Sequence, residues 1–160
     1  VIRDAAAADA GAVAALWNHW IRDTLVTFNF AEKSEAEVAD LIVSRQAAGR
    51  AFLVAEEGGC LGFATYAQFR GGVGYALTME HTVLLAPQAR GRGVGRRLMA
   101  AVEEHARGAG VHSLFGGVSS ANPEGRAFHL ALGFAEVAVL REVGWKWGRF
   151  LDLHLMQKIL

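Results

Sequence analysis

An α/β fold built on a mixed sheet is predicted for this chain by three observations. Its amphipathic segments follow the order β-α-α-β-β-β-α-β-α-β-β. Short Gly-containing turns join some of the strands into local hairpins, and two strand-helix-strand crossovers require strands that run the same way, with helices packed on the faces of the sheet.

Residues 1–5 read as a short strand. Asp9 then stands where it can cap a helix whose apolar positions Val13, Leu16, Trp17, Trp20 and Ile21 recur at helical spacing. Ser34 opens a second helix with Glu37 as its capping-box partner, Val38, Leu41 and Ile42 as its apolar face and Gly49 as its stop. Residues 51–56 and 61–69 flank the turn Glu57-Gly58-Gly59-Cys60 and read as a hairpin. A Gly-rich stretch at 71–74 leads into a further strand, 75–85, that Pro87 ends. From Val94 a helix presents Leu98, Ala101, Val102 and His105 on one face and ends near the glycines at 108 and 110. A strand over 111–118 follows. Asn122-Pro123 starts the last helix, which runs through Phe128 and Leu132 to Gly133, before a final strand pair at 134–141 and 149–159.

The 160 residues and 52% apolar content suit one compact domain, 1–160. Sixteen basic residues balance sixteen acidic ones, so no overall field is available for nucleic acid or an anionic membrane, and an anion has to be caught locally. No apolar run reaches the ~18 residues of a spanning helix, and the first residues lack a signal-peptide pattern, which leads us to expect a soluble, cytoplasmic protein. Cys60 is the sole cysteine, which excludes an internal disulfide, and no metal site is expected.

The densest chemical signal is the run from Gln88 to Arg97, where Arg90, Gly91, Arg92, Gly93, Val94, Gly95 and Arg96 lie between a strand and an amphipathic helix. Backbone N–H groups of such a turn, with the positive end of the following helix, bind phosphate oxygens. A dinucleotide fingerprint needs G-x-G-x-x-G early in a parallel unit, whereas these glycines run G-x-G-x-G past mid-chain; a nucleotide P-loop needs Lys and Ser/Thr after its last glycine, whereas Arg96 and Arg97 follow Gly95.

Arg90-x-x-Gly93-x-Gly95 at a helix start resembles the signature that GCN5-related N-acetyltransferases use for the pyrophosphate of coenzyme A, and the likeness extends over the whole chain. It includes Asn122 and the helix ending Ala131-Leu132-Gly133-Phe134. Asn18, Thr24, Thr27-Phe28, Glu80-His81-Thr82-Val83 and the block from Val143 to Arg149 resemble the phosphinothricin acetyltransferase branch, which includes enzymes acting on methionine sulfone and methionine sulfoximine.

This resemblance implies a mixed, mostly antiparallel sheet whose central parallel strands, 79–85 and 111–118, splay apart to admit the pantetheine arm of acetyl-CoA. Val83, Leu84 and Leu85 are then expected to face pantetheine through their backbone, residues 91–96 to hold the pyrophosphate, and Asn122 to bond the cofactor further along. Glu80 corresponds to the family's proposed base, and His129 to the position where many members place a tyrosine near the coenzyme sulfur. Amine attack on a thioester needs a proton acceptor, and the leaving thiolate benefits from a donor. Phe28, Arg70, Gly71, Gly72, Glu80, His81 and Thr82 are the expected substrate contacts, although strand alternation sends Glu80 and His81 to opposite faces.

Direct transfer in a ternary complex to the amine of a small amino-acid-like substrate is the expected activity, since Cys60 lies in a turn without a group to activate it. Acetylation of a protein N-terminus or lysine, or a non-catalytic coenzyme A-binding regulator, are the alternatives. Trp145, Trp147 and Phe150 add an aromatic surface suited to a homodimer, as the branch also implies.

Overall fold

The computed structural model describes residues 1–160. Seven strands form one sheet: β1 (Ile2–Asp4), β2 (Phe52–Glu56), β3 (Cys60–Gln68), β4 (Thr78–Leu85), β5 (Ser113–Ser119), β6 (Ala135–Lys146) and β7 (Arg149–Ile159). Their spatial order is β1-β2-β3-β4-β5-β7-β6. Only β4 and β5 pair in parallel. Helices α1 (Ala10–Asp23) and α2 (Glu35–Ala47) cover one face, and α3 (Val94–Gly108) and α4 (Pro123–Ala131) the other. None of the helices is long and apolar enough to cross a membrane.

Strand alternation divides the core between the two faces. Phe52, Val54 and Phe63 pack with α1 and α2, while Leu53, Ala55, Ala64 and Tyr66 pack with α3. Both faces of β2 and β3 are therefore buried, which explains their nearly continuous apolar runs. Gly62 lies where β3 meets β4, and a Cβ there would stand 2.9 Å from the Leu84 carbonyl oxygen and 2.8 Å from a Leu85 methyl.

The structure changes four details of the expected organisation. Asp9 does not cap α1. Its carboxylate accepts from the Ala6 N–H at 2.7 Å and from both Arg3 Nη atoms at 2.8 and 2.9 Å, which pulls it back toward β1. The fourth predicted strand begins at Thr78 rather than at 75, because residues 73–75 form a 3-10 turn and Gln68 Nε2 ties down the Arg70 and Gly72 carbonyls at 2.8 Å each.

β6 runs on to Lys146, past the expected end at 141. A bulge at Glu142 (φ 56°), held by Asp152 Oδ1 at 2.8 Å from its N–H, breaks the alternation that makes a strand legible in sequence. The second crossover, β5-α4-β6, does not end beside β5. β7 takes that inner place, and it is the better-covered of the two strands, with Leu151 and Met156 buried where β6 is mostly exposed.

Gly62→Ala is expected to lower stability by about 1–3 kcal/mol, because the backbone carbonyl it meets cannot yield as a side chain can. Urea denaturation measures this, and an unchanged midpoint would contradict the packing at the β3–β4 contact.

Candidate active site

The parallel contact between β4 and β5 lasts for four registered pairs, Thr78↔Ser113 to His81↔Gly116. Beyond it, β4 remains paired to β3 as far as Leu85, and β5 to β7 as far as Ser119, but the two strands no longer pair with each other. A wedge opens between residues 82–85 and 117–119. It belongs to a cavity of about 1050 Å³ that extends from Phe28 past Glu80 to Gly91, Gly93 and Asn122. Val83, Leu84 and Leu85 line it. Trp20 Nε1 donates to the Leu85 carbonyl at 3.0 Å and satisfies one backbone acceptor in the opened stretch.

At one end the cavity meets the start of α3. Gly91 and Gly93 hold φ of +76° and +73°, and Gly93, as N-cap, offers no side chain to the helix. The first-turn N–H groups of Val94, Gly95 and Arg96 have no intrahelical carbonyl to bond and face a site that favours negative charge. Gly95 serves packing: a Cβ there would sit 3.1 Å from the Phe128 ring. The arginines divide. Arg90 pairs with Glu124 at the start of α4 and, with Arg96, lines the cavity, whereas Arg92 turns away to Glu57 at 3.2 Å and does not line it. Asn122 lines the cavity and caps α4, its Oδ1 accepting from the Gly125 N–H at 3.0 Å, so its amide Nδ2 is the group left for a ligand.

Glu80 and His81 do point to opposite faces of the sheet, and the gap between strands lets both border the cavity. Glu80 is half-buried beside Gly117 and Leu153 without a hydrogen-bond or ion-pair partner, and burial pushes its pKa above the ordinary carboxylate range. His81 is buried on the other face, where its Nε2 lies 2.9 Å from His129 Nε2. His129 Nδ1 lies 2.7 Å from the Gly125 carbonyl oxygen, which accepts only, so Nδ1 carries the proton. His129 Nε2 is consequently the acceptor and His81 Nε2 the donor, which leaves His81 Nδ1 as a buried lone pair without a partner. Burial, then the neighbouring His129, lowers the His81 pKa to about 3, and burial lowers that of His129. The pair is neutral. Proton donation by His129 thus meets an obstacle invisible in the sequence: both of its nitrogens are already engaged. Gly116 permits the arrangement, since a Cβ there would stand 2.7 Å from both rings.

At the Glu80 end of the cavity the residues named from the sequence are divided. Phe28 and Thr82 line the cavity, but Arg70, Gly71 and Gly72 do not; they are exposed, with the Arg70 guanidinium 5.8 Å from the Tyr75 ring centre. Lys33, over the Trp17 ring at 4.6 Å, lines the cavity and was not foreseen, because nothing in its sequence neighbourhood separates it from a solvated lysine. Cys60 lies outside the cavity, and burial raises its thiol pKa.

The histidine pair sets an acid limit on stability. Both folded pKa values lie below the unfolded one, so as pH falls from about 6.5 the unfolded chain takes up protons that the folded chain refuses, and stability declines. For His81 this window extends down to about 3. His81→Gln retains an N–H donor toward His129 without titrating. It is expected to make the fall of unfolding free energy with pH shallower by up to about 1.4 kcal/mol per pH unit, measured by urea denaturation over this range. An unchanged slope would contradict a neutral buried pair.

Comparison with known proteins agrees with this geometry. Residues 13–134 match the family described as Acetyltransferase (GNAT) family. The chain is 35% identical to the L-amino acid N-acyltransferase MnaT of Escherichia coli, covering 98% of this chain and 91% of that protein. It is 34% identical to the L-methionine sulfoximine/L-methionine sulfone acetyltransferase of Salmonella typhimurium (98% and 92% covered) and to the phosphinothricin N-acetyltransferase of Alcaligenes faecalis (100% and 81%). Among solved structures, a ribosomal-protein-alanine N-acetyltransferase from Brucella melitensis superposes with a TM-score of 0.96 at 39% identity, covering 100% of this chain and 99% of that one. The yncA acetyltransferase from Salmonella typhimurium, solved with its cofactor acetyl-CoA, gives 0.96 at 34%, covering 100% and 93%. With a cleft opened between its two parallel strands, an uncapped helix start at one end and relatives matched along nearly its full length, the chain belongs to the GNAT family of acetyltransferases.

Proposed function

We propose that this protein transfers the acetyl group of acetyl-CoA to the α-amine of a small amino acid of the methionine sulfone, methionine sulfoximine or phosphinothricin type. The observation that carries the reading is the wedge itself, with an uncapped helix start at one end and an unpartnered carboxylate at the other. The first suits a pyrophosphate and the second an amine. Residues 91–96 would hold the pyrophosphate, the freed β4 backbone would pair with pantetheine as an added strand does, and Phe28, Thr82 and Glu80 would face the amine.

In the proposed reaction Glu80 takes a proton from the substrate ammonium, directly or through water. The neutral nitrogen attacks the thioester carbonyl; the tetrahedral intermediate, positively charged at nitrogen, gives up a second nitrogen proton to the medium and expels the coenzyme A thiolate, which takes up a proton from the medium as Glu80 returns its own to it. The transfer is direct, since no cysteine lines the cavity. His129 serves as a wall of the thioester site and, while paired to His81, as an acceptor. Such an enzyme would work in the cytoplasm, where acetyl-CoA is made available.

A second reading, acetylation of a protein N-terminus, is favoured by the name of the Brucella melitensis structure at 39% identity. Thiol release from acetyl-CoA with L-methionine sulfone, L-phosphinothricin and an alanine-initiated peptide distinguishes the two. Turnover confined to the peptide would replace the first reading with the second.

Glu80→Gln is expected to reduce kcat by about 10²–10⁴-fold while leaving acetyl-CoA affinity nearly intact, and the defect should ease at high pH as more of the amine is already neutral. In the wild type the rising limb of kcat/KM should lie above the ordinary carboxylate range, because burial raises the Glu80 pKa and only its deprotonated form accepts a proton. Equal rates for the two proteins at neutral pH would remove Glu80 as the base.

We also propose a homodimer. Val143, Trp145, Trp147 and Phe150 are 52–63% exposed around the β6–β7 turn, with Phe30 meeting Trp145 edge-on at 6.2 Å. Sedimentation equilibrium at micromolar concentration should give a dimer, and Trp147→Glu a monomer; a monomeric wild type with full activity would refute this.

A further inference from the structure

Lys146, at the end of β6, has no exposed surface and forms no ion pair. A buried ammonium is costly unless all its protons are placed. Here Nζ donates to the Ile21 carbonyl at 2.7 Å and to the Thr27 carbonyl at 2.9 Å, with the Trp147 ring centre 5.2 Å away. Ile21 belongs to the last turn of α1, whose carbonyls lack intrahelical partners and form the negative end of the helix. Thr27 lies in the connection from α1 to α2.

That connection has an unusual construction. No backbone–backbone hydrogen bond outside the regular elements involves residues 25–33. Side chains hold it instead. Asn18 clamps its far end, donating to the Lys33 carbonyl at 2.8 Å and accepting from the Lys33 N–H at 2.7 Å, while Thr24 Oγ1 secures its near end against the Trp20 carbonyl at 2.6 Å. Its middle is tied to the rest of the protein by Lys146 at Thr27. The next residue, Phe28, lies flat over Gly144, where a Cβ would come within 2.6 Å of the ring. Gly144 and Lys146 are two apart on one strand and so share a face, forming a socket for consecutive loop residues. The same loop residues, Val26 to Asn29, form the cavity wall at the Glu80 end.

We infer that Lys146 is a positioning residue for the amine site: it fixes the 25–33 loop by its carbonyl bonds and thereby places Phe28, the side chain that shapes the pocket for the substrate's side chain. This rests on the proposed assignment of the Glu80 end of the cavity to the amine. The charged ammonium never touches the substrate. Its effect passes through the loop backbone, so its loss should weaken amine recognition and leave the distant cofactor loop at 91–96 unaffected.

Two measurements test it. In hydrogen-exchange mass spectrometry, Lys146→Met should speed exchange of the 25–30 amides by about tenfold or more without changing exchange in α3 or β3. In steady-state kinetics with L-methionine sulfone, the same variant should raise the amine KM by about tenfold while the acetyl-CoA KM stays within about twofold, and adding Lys146→Met to Phe28→Ala should cost nothing further. Unchanged exchange over 25–30, or fully additive losses, would overturn the inference. Should Lys146→Met not keep the wild-type circular dichroism, Lys146→Gln, which retains a neutral donor, carries the same comparisons. If the wild type fails to acetylate L-methionine sulfone, the substrate reading falls while the exchange experiment still decides whether Lys146 holds the loop.

Discussion

Between His81 and Thr82 the hydrogen-bonded contact of β4 with β5 ends, and the cavity is organised around that break. Continued pairing would fill the wedge with backbone and close the sheet. Each strand keeps its outer partner beyond the break, so the opening does not fray the fold. Opened backbone groups in a protein interior must be bonded or hydrated, and Trp20 meets part of that need at Leu85. Large side chains flank the break on both faces, His81 and His129 over Gly116 and Glu80 beside Gly117. Neither glycine could carry a side chain without displacing one of them.

Electrostatics in this chain act over short distances. Its formal charges cancel, and two of the arginines in the glycine-rich loop are already paired with Glu124 and Glu57. What remains to attract an anion is an oriented set of N–H groups at a helix start that no side chain caps, with the Arg96 guanidinium, which forms no ion pair, lining the cavity beside it. At the other end burial shifts Glu80 toward a weaker acid and both histidines toward weaker bases. A carboxylate with a raised pKa is a better proton acceptor from an ammonium, whereas a neutral histidine pair with one internal hydrogen bond is poorly suited to giving a proton away.

Lys146 illustrates how a buried charge can organise a segment that lacks its own ladder. The loop after α1 makes no backbone bonds of its own with the sheet, yet it supplies a wall of the cavity. Its placement is delegated to a β6 side chain more than a hundred positions away in the chain, through two carbonyls that would otherwise need water. The same strand turns apolar residues outward at Val137, Val139 and Val143, so its inner and outer faces have different tasks.

Sequence alone determined the α/β class, the helix starts at Ser34 and Asn122, the β2–β3 hairpin and the glycine-rich loop before α3. All of these are written in local spacing: 3.6-residue periodicity, capping residues and glycines at positive φ act over a few positions and need no distant partner. The opposite orientations of Glu80 and His81 followed from strand alternation in the same way. Tertiary structure decided what depends on contacts between remote segments. It placed β7 between β5 and β6, retained Asp9 for Arg3 instead of α1, turned Arg92 away from the cavity, left Arg70 outside it and joined His81 to His129. Lys146 shows the reason most clearly: it stands between two tryptophans, outside the strands expected at 134–141 and 149–159, and only when α1 and its loop fold over β6 do the Ile21 and Thr27 carbonyls converge on its ammonium.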